Sequence, residues 1–276
     1  MILENDTVDD HSNERLPSVP VANCGGTDAR PLRILSFNVQ TGIGTSQYSH
    51  YVTGSWKHFL PAIERKHNLK HIAAELSRYD VVGLQEVDGG SLRSKYMSQT
   101  EYLARKANFP FWHEQINRNL GRIAQHSIGF LSRINFKVSS ENKLPGIIPG
   151  RGALAVEMEY NGHTVCLITA HLALGRRTRL KQMAYLSELI SDYEHVVLMG
   201  DFNCDAHSRE MDALLSLTDL HPPVADMHTF PSWRPLRSLD HILVSRSMRV
   251  DKLNVVHLPV SDHLPVAMEV SLPAMA

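Results

Sequence analysis

Polar side chains adjoin five largely apolar runs of the sequence, where a strand buried in a core would be expected to end in turn residues. The runs are ILSF, VVGLQ, VVLMG, HILV and LPVAM, and each has a carboxylate, carboxamide or imidazole at one end. If these strand ends converge, the polar groups share one cleft. The residues concerned are Asn38, Glu86, Asp201, Asn203, Asp240, Asp262 and His263.

Carboxylates brought together in this way require neutralisation. Two unit charges roughly 4 Å apart repel by about 4 kcal/mol at an effective dielectric constant of about 20. Such a cluster needs a cation, raised pKa values, or both. Oxygen-rich ligands favour Mg²⁺ or Mn²⁺ over Zn²⁺, and Mg²⁺ completes its shell with water and substrate phosphate. The pattern therefore predicts phosphoester chemistry with Mg²⁺, for which Mn²⁺ would be a substitute.

Two β–α–β units of the sequence would position these groups. Their strands are continuous apolar runs, which is typical of strands buried on both faces, and their helices carry apolar residues at helical spacing. The strands of the first unit end at Asn38 and Glu86, and those of the second end at His171 and Asp201. In chain order, the predicted elements span residues 32–39, 61–79, 81–87, 164–170, 179–193 and 195–199.

Further strands are predicted between and after the two units, with Asn161-Gly162 as a hairpin turn. Together these elements predict an α/β fold in which two mixed sheets pack against each other with helices outside. The chain would form a single domain over residues 32–276, preceded by a flexible polar tail at residues 1–31. The further strands span residues 127–132, 153–160, 239–244, 249–258 and 264–272.

The charge balance and the cysteines limit the classes of function and location. The 276 residues include 28 Lys and Arg against 29 Asp and Glu, so the formal net charge is -1. Indiscriminate polyanion binding usually requires a clear basic surplus, although a local basic patch is not excluded. Three cysteines without a C-x-x-C pattern indicate reduced thiols. Because the sequence has neither a secretion signal nor an apolar run of roughly 20 residues, we expect a cytoplasmic protein without a transmembrane segment.

Six short motifs complete the pattern: SFN, LQEV, TAHL, GDFN, LDHILV and SDHLPV. In this order they resemble the endonuclease/exonuclease/phosphatase superfamily of metal-dependent phosphoesterases, which includes deoxyribonuclease, abasic-site endonucleases, neutral sphingomyelinases and inositol-polyphosphate 5-phosphatases. The resemblance extends from about residue 32 to residue 272. It implies a four-layered sandwich of two mixed β-sheets flanked by helices, in agreement with the predicted elements.

The resemblance also implies roles for individual residues. Glu86 would be the principal Mg²⁺ ligand, with Asn38 beside it and Asp262 as a further contact. Asp201 would orient or deprotonate the attacking water. Asn203 would donate a hydrogen bond to the phosphate or to the nucleophile.

Two histidines are implied to act on the phosphate. His263 would contact a non-bridging oxygen and be oriented by Asp240, whose carboxylate would raise the pKa of the imidazole and fix its tautomer. His171 matches the phosphate-contacting histidine of the family. A metal ion and an imidazolium can stabilise the charge that in-line attack builds on the phosphate oxygens. Either Asp201 or His263 could be the general base, and the sequence leaves both open.

Other polar and aromatic residues are weaker candidates. His126, Arg151 and Arg176 are interpreted as substrate-binding residues, but a structural histidine, a solvated turn and a first helical turn explain them equally well. Trp56 and Trp233 lie in long loops, where they would stack on a base or head group or only fix the loops.

His241 and Cys204 adjoin site residues but are expected to be structural. Alternation along the strand turns His241 to the face opposite Asp240. The small side chain of Cys204 is expected to be buried.

The substrate is the least defined part of the prediction. A nuclease should carry basic, aromatic-bearing loops that grip the strand, whereas this chain is neutral and its late loop, HTFPSWRPLRSLDH, is unlike a DNA-penetrating loop. The sequence therefore favours a lipid head group or a small phosphoester, with a DNA nuclease as the second hypothesis. An inactive binding scaffold is the third, and it is disfavoured because every expected site position is filled. No protein partner can be inferred.

Overall fold

A computed structural model describes residues 30–40, 62–91, 94, 96–119, 125–147, 149–223 and 227–273 of the chain. The predicted tail at residues 1–31 lies almost entirely outside these ranges, as does Trp56. The structure confirms the fold expected from the sequence, in which two mixed sheets pack together with helices outside.

Six strands form the first sheet, which is mixed. They are β1 (Leu32–Asn38), β2 (Val81–Asp88), β3 (Phe111–Asn119), β4 (Gln125–Ser132), β10 (Arg249–Val255) and β11 (Val266–Ser271). Their order across the sheet is β10–β11–β1–β2–β4–β3. Strands β1 and β2 are parallel, with Ile34 opposite Val81, whereas β1 and β11 are antiparallel.

Five strands form the second sheet, which is also mixed. They are β5 (Phe136–Lys143), β6 (Gly152–Tyr160), β7 (His163–His171), β8 (His195–Asp201) and β9 (Asp240–Val244). They pair in sequence order across the sheet. Strands β7 and β8 are parallel, with His171 opposite Asp201, and β8 and β9 are antiparallel, with Asp201 opposite Asp240.

Among the described residues, two helices cover the outer face of each sheet. They are α1 (Ala62–Leu76), α2 (Gln99–Lys106), α3 (Arg176–Ile190) and α4 (Arg209–Ser216). Within the described ranges, no helix has the length and apolar character that crossing a bilayer would require.

Three apolar clusters separate the four layers. The inner cluster joins residues of both sheets, such as Ile34, Phe130 and Val197. The outer clusters join each sheet to its own pair of helices, through Ile72 on α1 and Met183 on α3 among others. Burial on both faces explains why the central strands are continuous apolar runs.

The two predicted β–α–β units supply the parallel strand pair of each sheet. β1, α1 and β2 form the first, and β7, α3 and β8 form the second. Because both pairs end at the same end of the sandwich, the ends of β1, β2, β7 and β8 meet the starts of β9 and β11 there. We call this end the site edge and the other end the opposite edge.

Four elements are absent from the sequence prediction: α2, β3, β5 and α4. Strand β5, FKVSSENK, is a polar edge strand whose residues alternate between half-buried and exposed, so it lacks an apolar signal. Helices α2 and α4 have only 8 residues each, and their N-caps Ser98 and Ser208 are the local signals that mark them. Helix α3 also begins at Arg176, three residues earlier than predicted, and β10 ends at Val255 instead of residue 258.

Candidate active site

A β-bulge turns Glu86 toward the cleft between the sheets. Between Leu84 and Val87, strand β2 advances one residue more than its partner β4, and Glu86 has a φ of 54°. Regular alternation would direct this side chain toward the helices, because Gln85 already faces Thr169 of the other sheet. A non-glycine residue in the left-handed region is uncommon, and bulges re-aim side chains beside functional sites. The Glu86 carboxylate lies 3.7 Å from Nε2 of His171.

Asp201 lies at the end of β8, buried and fixed by its neighbours. A Cβ at the preceding residue, Gly200, would lie 1.9 Å from the carbonyl oxygen of Ala170, so only glycine allows this approach of β8 to β7. Nδ2 of Asn38 donates to Oδ2 of Asp201 at 3.1 Å, and the backbone nitrogen of Asn203 donates to Oδ1 at 2.9 Å. Residues from both sheets therefore hold one carboxylate.

Two imidazoles flank the same carboxylate oxygen. Nε2 of His171 lies 3.3 Å from Oδ2 of Asp201, and Nε2 of His263 lies 4.0 Å from it. The guanidinium of Arg151 contacts the ring of His171. The cleft thus has basic side chains on two sides of a buried acid.

His263 is held by an acid on its other nitrogen. Its Nδ1 lies 2.7 Å from Oδ2 of Asp240, which also accepts a hydrogen bond from Oγ1 of Thr229 at 2.5 Å. The ring packs against Phe230, with the centroids 4.9 Å apart. Because Nδ1 is engaged, Nε2 is the nitrogen that faces the cleft. Oδ1 of Asp240 is buried without a hydrogen-bond partner in the described part of the chain.

Asp262 is the third buried acid of the site. Oγ of Ser261 lies 3.3 Å from Oδ1 of Asp262 and donates a hydrogen bond to the carbonyl oxygen of Asn38 at 2.8 Å. The loop before β11 is thereby attached to the end of β1.

The pKa values of these groups are shifted in different directions. Burial alone would raise the pKa of Asp201, but the charges of His263 and His171 hold it below its ordinary value. Burial alone would lower the pKa of His263, but Asp240 and Asp201 raise it to about 10. Burial raises the pKa of Asp262 to about 6, and Glu86 and Asp201 add to the shift. At neutral pH the site therefore contains ionised acids around a protonated imidazole.

The donor set fits a hard divalent cation. The oxygens of Glu86, Asp262 and Asn38 are the ligand types that Mg²⁺ and Mn²⁺ prefer. Burial is the main cause of the raised pKa of Asp262, and the charges of Glu86 and Asp201 add repulsion that a cation would relieve. Asp201, Asp240 and His263 form a second group, with one ligand atom from each within 4.8 Å of the others. This group could also hold a metal ion, but Nδ1 of His263 and Oδ2 of Asp240 are already bonded to each other.

A family profile tests whether the chain is related to the superfamily that the six motifs resemble. The profile described as the endonuclease/exonuclease/phosphatase family matches residues 35–263, which include every residue of the site. The chain belongs to this family. Its members are phosphoester hydrolases that are generally metal-dependent.

Solved structures of family proteins share the fold. A family protein from Bacteroides thetaiotaomicron is 18% identical with a TM-score of 0.65, over 89% of this chain and 99% of that one. The mannosyl-6-phosphatase of the same organism is 19% identical with a TM-score of 0.62, over 87% and 100%. The human Nocturnin catalytic domain, solved with bound sulfate, is 18% identical with a TM-score of 0.63, over 88% and 94%. A search of curated proteins finds no match.

A cavity of about 160 Å³ adjoins the candidate active site. Glu86 and His171 form its inner wall, and His126, Arg118 and Arg151 provide basic groups around it. His126 and Arg151, predicted as substrate-binding residues, therefore lie beside the site. Arg118 was not predicted, because β3 has no apolar pattern to mark it.

The other sequence candidates are distributed unevenly. Arg176 is exposed at the first residue of α3, and within the described ranges no hydrogen bond or ion pair joins it to the site. Its neighbour Arg179 instead forms an ion pair with buried Glu210 at 2.6 Å. Trp233 is half-buried in the loop before β9.

His241 and Cys204 have structural contacts, as expected. Nε2 of His241 bonds the carbonyl oxygen of Cys204 at 2.9 Å, and burial lowers the pKa of the ring. Burial raises the pKa of the Cys204 thiol to about 11. Thr229 and Phe230 support the site but lie outside the six motifs, so no local signal in the sequence marked them. Ser261 is the first residue of the SDHLPV motif, but its contact with Asn38 could not be predicted from the sequence.

Proposed function

We propose that the chain is a Mg²⁺-dependent phosphoester hydrolase, a phosphodiesterase or phosphatase, that acts on a lipid head group or a small phosphoester. The observation that supports this most strongly is the environment of Asp201. It is a buried, ionised carboxylate beside two imidazoles, and it accepts a hydrogen bond from Asn38, which we propose as a cation ligand. Water activation next to phosphate-binding cations is the chemistry that such an arrangement serves.

Asp201 is proposed to orient the attacking water and accept its proton. Its lowered pKa keeps it ionised at neutral pH, and Asn38 and Asn203 hold its oxygens in place. His263 is the less suitable base, because a pKa of about 10 keeps its ring protonated at neutral pH. A protonated ring can donate to the substrate but cannot accept a proton.

The imidazoles are proposed to bind non-bridging oxygens of the phosphate. Nε2 of His263 and Nε2 of His171 approach the same oxygen of Asp201, so both can donate to a group beside the nucleophilic water. Asp240 fixes the orientation of His263, and Asn203 donates from its side chain. Donors held in place before the reaction stabilise developing charge without reorganisation.

Glu86, Asn38 and Asp262 are proposed to hold the Mg²⁺ ion, for which Mn²⁺ would substitute. When bound, the ion neutralises charge on the phosphate and stabilises the leaving oxygen. The bulge at Glu86 directs its carboxylate into the cleft, where it would bind the ion. Asn38 would contribute its amide oxygen while its amide nitrogen donates to Asp201.

The cavity beside His171 supports a substrate with a small polar group. Its volume of about 160 Å³ accommodates a head group or a sugar, and Arg151 and His126 would contact that group. Arg176 would attract an anionic substrate from its exposed position. The mannosyl-6-phosphatase among the structural neighbours acts on a small phosphomonoester, and the sulfate in the Nocturnin domain resembles phosphate.

A side-by-side substrate panel tests this proposal. Purified protein is incubated with bis-p-nitrophenyl phosphate, sugar phosphates, phospholipid vesicles, plasmid DNA and abasic-site DNA, each with Mg²⁺ and with EDTA. We expect Mg²⁺-dependent release from a small phosphoester or a lipid, and loss of release in Asp201→Ala. Asp212→Ala is a matched control, because Asp212 lies in the first turn of α4, away from the site.

Two results would contradict the proposal. Rapid cleavage of DNA alone would replace the substrate class by the nuclease hypothesis. No hydrolysis of any phosphoester with Mg²⁺ or Mn²⁺ would favour an inactive scaffold.

A further inference from the structure

Three loops at the site edge expose large aliphatic side chains. The side chains of Ile147, Leu174 and Leu236 have exposed fractions of 99%, 76% and 61%. Tyr96, in the loop after β2, is 60% exposed at the same edge. We call the three loops the rim loops. They span residues 144–151, 172–177 and 230–237, of which residue 148 lies outside the described ranges and residues 176 and 177 begin α3.

Two of the rim loops are held together by one buried side chain. Gln182 of α3 donates from Nε2 to the carbonyl oxygen of Pro145 at 3.0 Å and accepts from the backbone nitrogen of Ala173 at 2.8 Å. A Cβ at Gly146 would lie 3.0 Å from Thr178 of α3. Contacts with α3 therefore hold in place the two neighbouring loops that expose Ile147 and Leu174.

The third rim loop is attached to the catalytic histidine. Its backbone folds back at Leu236, whose nitrogen bonds the carbonyl oxygen of Phe230 at 2.9 Å. Phe230 packs on the ring of His263, with the centroids 4.9 Å apart. The exposed Leu236 therefore lies in a loop that packs against His263.

The charge of the rim loops has one sign, although the whole chain is close to neutral. Their sequences contain no Asp or Glu and five arginines, which are Arg151, Arg176, Arg177, Arg234 and Arg237. Arg237 pairs with exposed Asp205, but no ion pair occupies Arg176, Arg177 or Arg234 within the described residues.

Two of these arginines occupy an unfavourable position in their helix. Arg176 and Arg177 begin α3, whose first turn has no acidic residue. The N-cap is Gly175, which has no side chain to accept a hydrogen bond from the helix. The N-terminus of a helix already carries positive potential, which favours acidic side chains. This arrangement strengthens a positive field at the tip that carries Leu174, and an external anion would relieve it.

We propose that the rim loops dock on the surface of an anionic phospholipid bilayer, with Ile147, Leu174 and Leu236 entering the head-group layer. Exposed aliphatic tips beside unpaired arginines combine the two contributions that bind proteins to such surfaces. Nucleic acid would match the charge, but its bases are gripped by stacking aromatic side chains, and the three tips are aliphatic. Tyr96 is exposed at this edge, but Trp233 of the third rim loop is half-buried, so aliphatic side chains dominate the exposed apolar surface. Docking in this orientation brings the catalytic cleft to the lipid head groups.

The opposite edge provides matched controls. Leu217, after α4, has the same exposed fraction as Leu236, 61%. Arg246, between β9 and β10, is an exposed arginine that approaches Asp219 at 3.5 Å. Neither lies near the rim loops.

Vesicle flotation in EDTA tests docking separately from hydrolysis. The wild-type protein should float with vesicles of phosphatidylcholine mixed with phosphatidylglycerol and remain unbound with phosphatidylcholine alone. Ile147→Ser combined with Leu174→Ser should weaken binding about 10-fold, as should Arg176→Gln combined with Arg177→Gln. Leu217→Ser and Arg246→Gln should bind like wild type. The Ile147→Ser, Leu174→Ser variant should still hydrolyse a soluble phosphoester that the wild type hydrolyses, which also shows that it folds.

Three results would overturn the docking proposal. The first is failure of wild type to bind the mixed vesicles. The second is equal binding by the rim-loop and control variants. The third is displacement from the vesicles by a single-stranded oligonucleotide at lower concentration than by free phosphatidylglycerol vesicles, which would assign the surface to nucleic acid. Because EDTA is present throughout, none of these results depends on the proposed hydrolysis.

Discussion

Buried carboxylates occur at both edges of the sandwich, but their partners differ. At the opposite edge, Asp80 accepts hydrogen bonds from Nε and Nη2 of Arg33, from the backbone nitrogen of Arg33 and from Arg30. At the site edge, Asp201 has histidine and amide partners, and Asp240 has His263 and the hydroxyl of Thr229. One oxygen of Asp240 is buried without a partner among the described residues. The arginines neutralise the charge of Asp80 within the protein, whereas the acids at the site edge retain oxygen atoms that can interact with a ligand.

The pKa of Asp262 differs from that of Asp80 in the same way. Burial alone would raise the pKa of Asp80, but its hydrogen bonds from Arg33 lower it below the ordinary value. Asp262 accepts no hydrogen bond from a guanidinium in the described residues, and burial raises its pKa to about 6 although the charge of His263 opposes the shift. The comparison teaches that burial alone does not identify a functional acid in this fold. Incomplete neutralisation by the protein distinguishes Asp262, whereas His263 and His171 neutralise Asp201.

The largest expected effect is on turnover at the site edge. Asp201→Asn keeps the shape and the hydrogen bonds from Asn38 but removes the proton acceptor, so kcat should fall about 10⁴-fold while the circular dichroism spectrum is retained. Steady-state rates with the substrate found in the panel provide the measurement. Turnover within about 10-fold of wild type would mean that Asp201 is not the base.

The next effect concerns the acid behind His263. Asp240→Asn removes the largest favourable contribution to the raised pKa of His263, so kcat should fall about 10²–10³-fold. Because loss of Asp240 lowers that pKa from about 10, the fall of kcat at high pH should begin at lower pH than in wild type. A pH–rate profile tests this. An unchanged profile would show that the protonation of His263 does not limit the reaction.

A smaller effect should appear in cation affinity. Below a pH of about 6 Asp262 is protonated and loses its charge, so the affinity for Mn²⁺ should decrease as the pH falls through that value. Titration calorimetry at several pH values measures this, and Asp262→Asn should reduce the dependence. If wild type and Asp262→Asn show the same pH dependence, Asp262 is not part of the cation site.

The opposite edge should respond in stability and not in rate. Asp80→Asn removes charged hydrogen bonds and should lower the free energy of unfolding by about 2 kcal/mol, with kcat unchanged. Because the pKa of Asp80 is lower in the folded state, its contribution is present above its unfolded pKa of about 3.9 and is lost as the pH falls through the folded value.

Thermal melts at neutral pH compare this variant with Asp192→Asn, whose exposed carboxylate should contribute less than about 0.5 kcal/mol. A loss of kcat in Asp80→Asn at full stability would break the distinction between the two edges.

Much of the fold could be predicted because its central strands are buried on both faces. Continuous apolar runs such as those of β1, β7 and β8 are typical of strands buried on both faces. The parallel pairing of β1 with β2 and of β7 with β8 brings Asn38, His171 and Asp201 to one edge. The short helices and polar edge strands escaped prediction because their stability comes from tertiary packing and from caps such as Ser98 and Ser208, not from an apolar pattern.

The site was predictable in composition but not in geometry. Motifs placed Glu86 at the end of a strand, yet regular alternation would turn it toward the helices, and only the bulge at φ 54° directs it into the cleft. The contact of Thr229 with Asp240 joins residues 11 positions apart across a loop, and the cavity that includes Arg118 is formed by a strand without a signal. Such long-range arrangements depend on packing that one sequence does not encode locally.

The most direct test of the central claim is the dependence of phosphoester hydrolysis on Mg²⁺ in wild type and in Glu86→Gln. The claim is that incompletely neutralised acids at the site edge hold a cation needed for turnover. Initial rates with a responsive substrate are measured from EDTA to saturating Mg²⁺. We predict no turnover of wild type in EDTA, full turnover with Mg²⁺, and a requirement of Glu86→Gln for at least about 10-fold more Mg²⁺. Equal rates of wild type in EDTA and in Mg²⁺ would contradict the account.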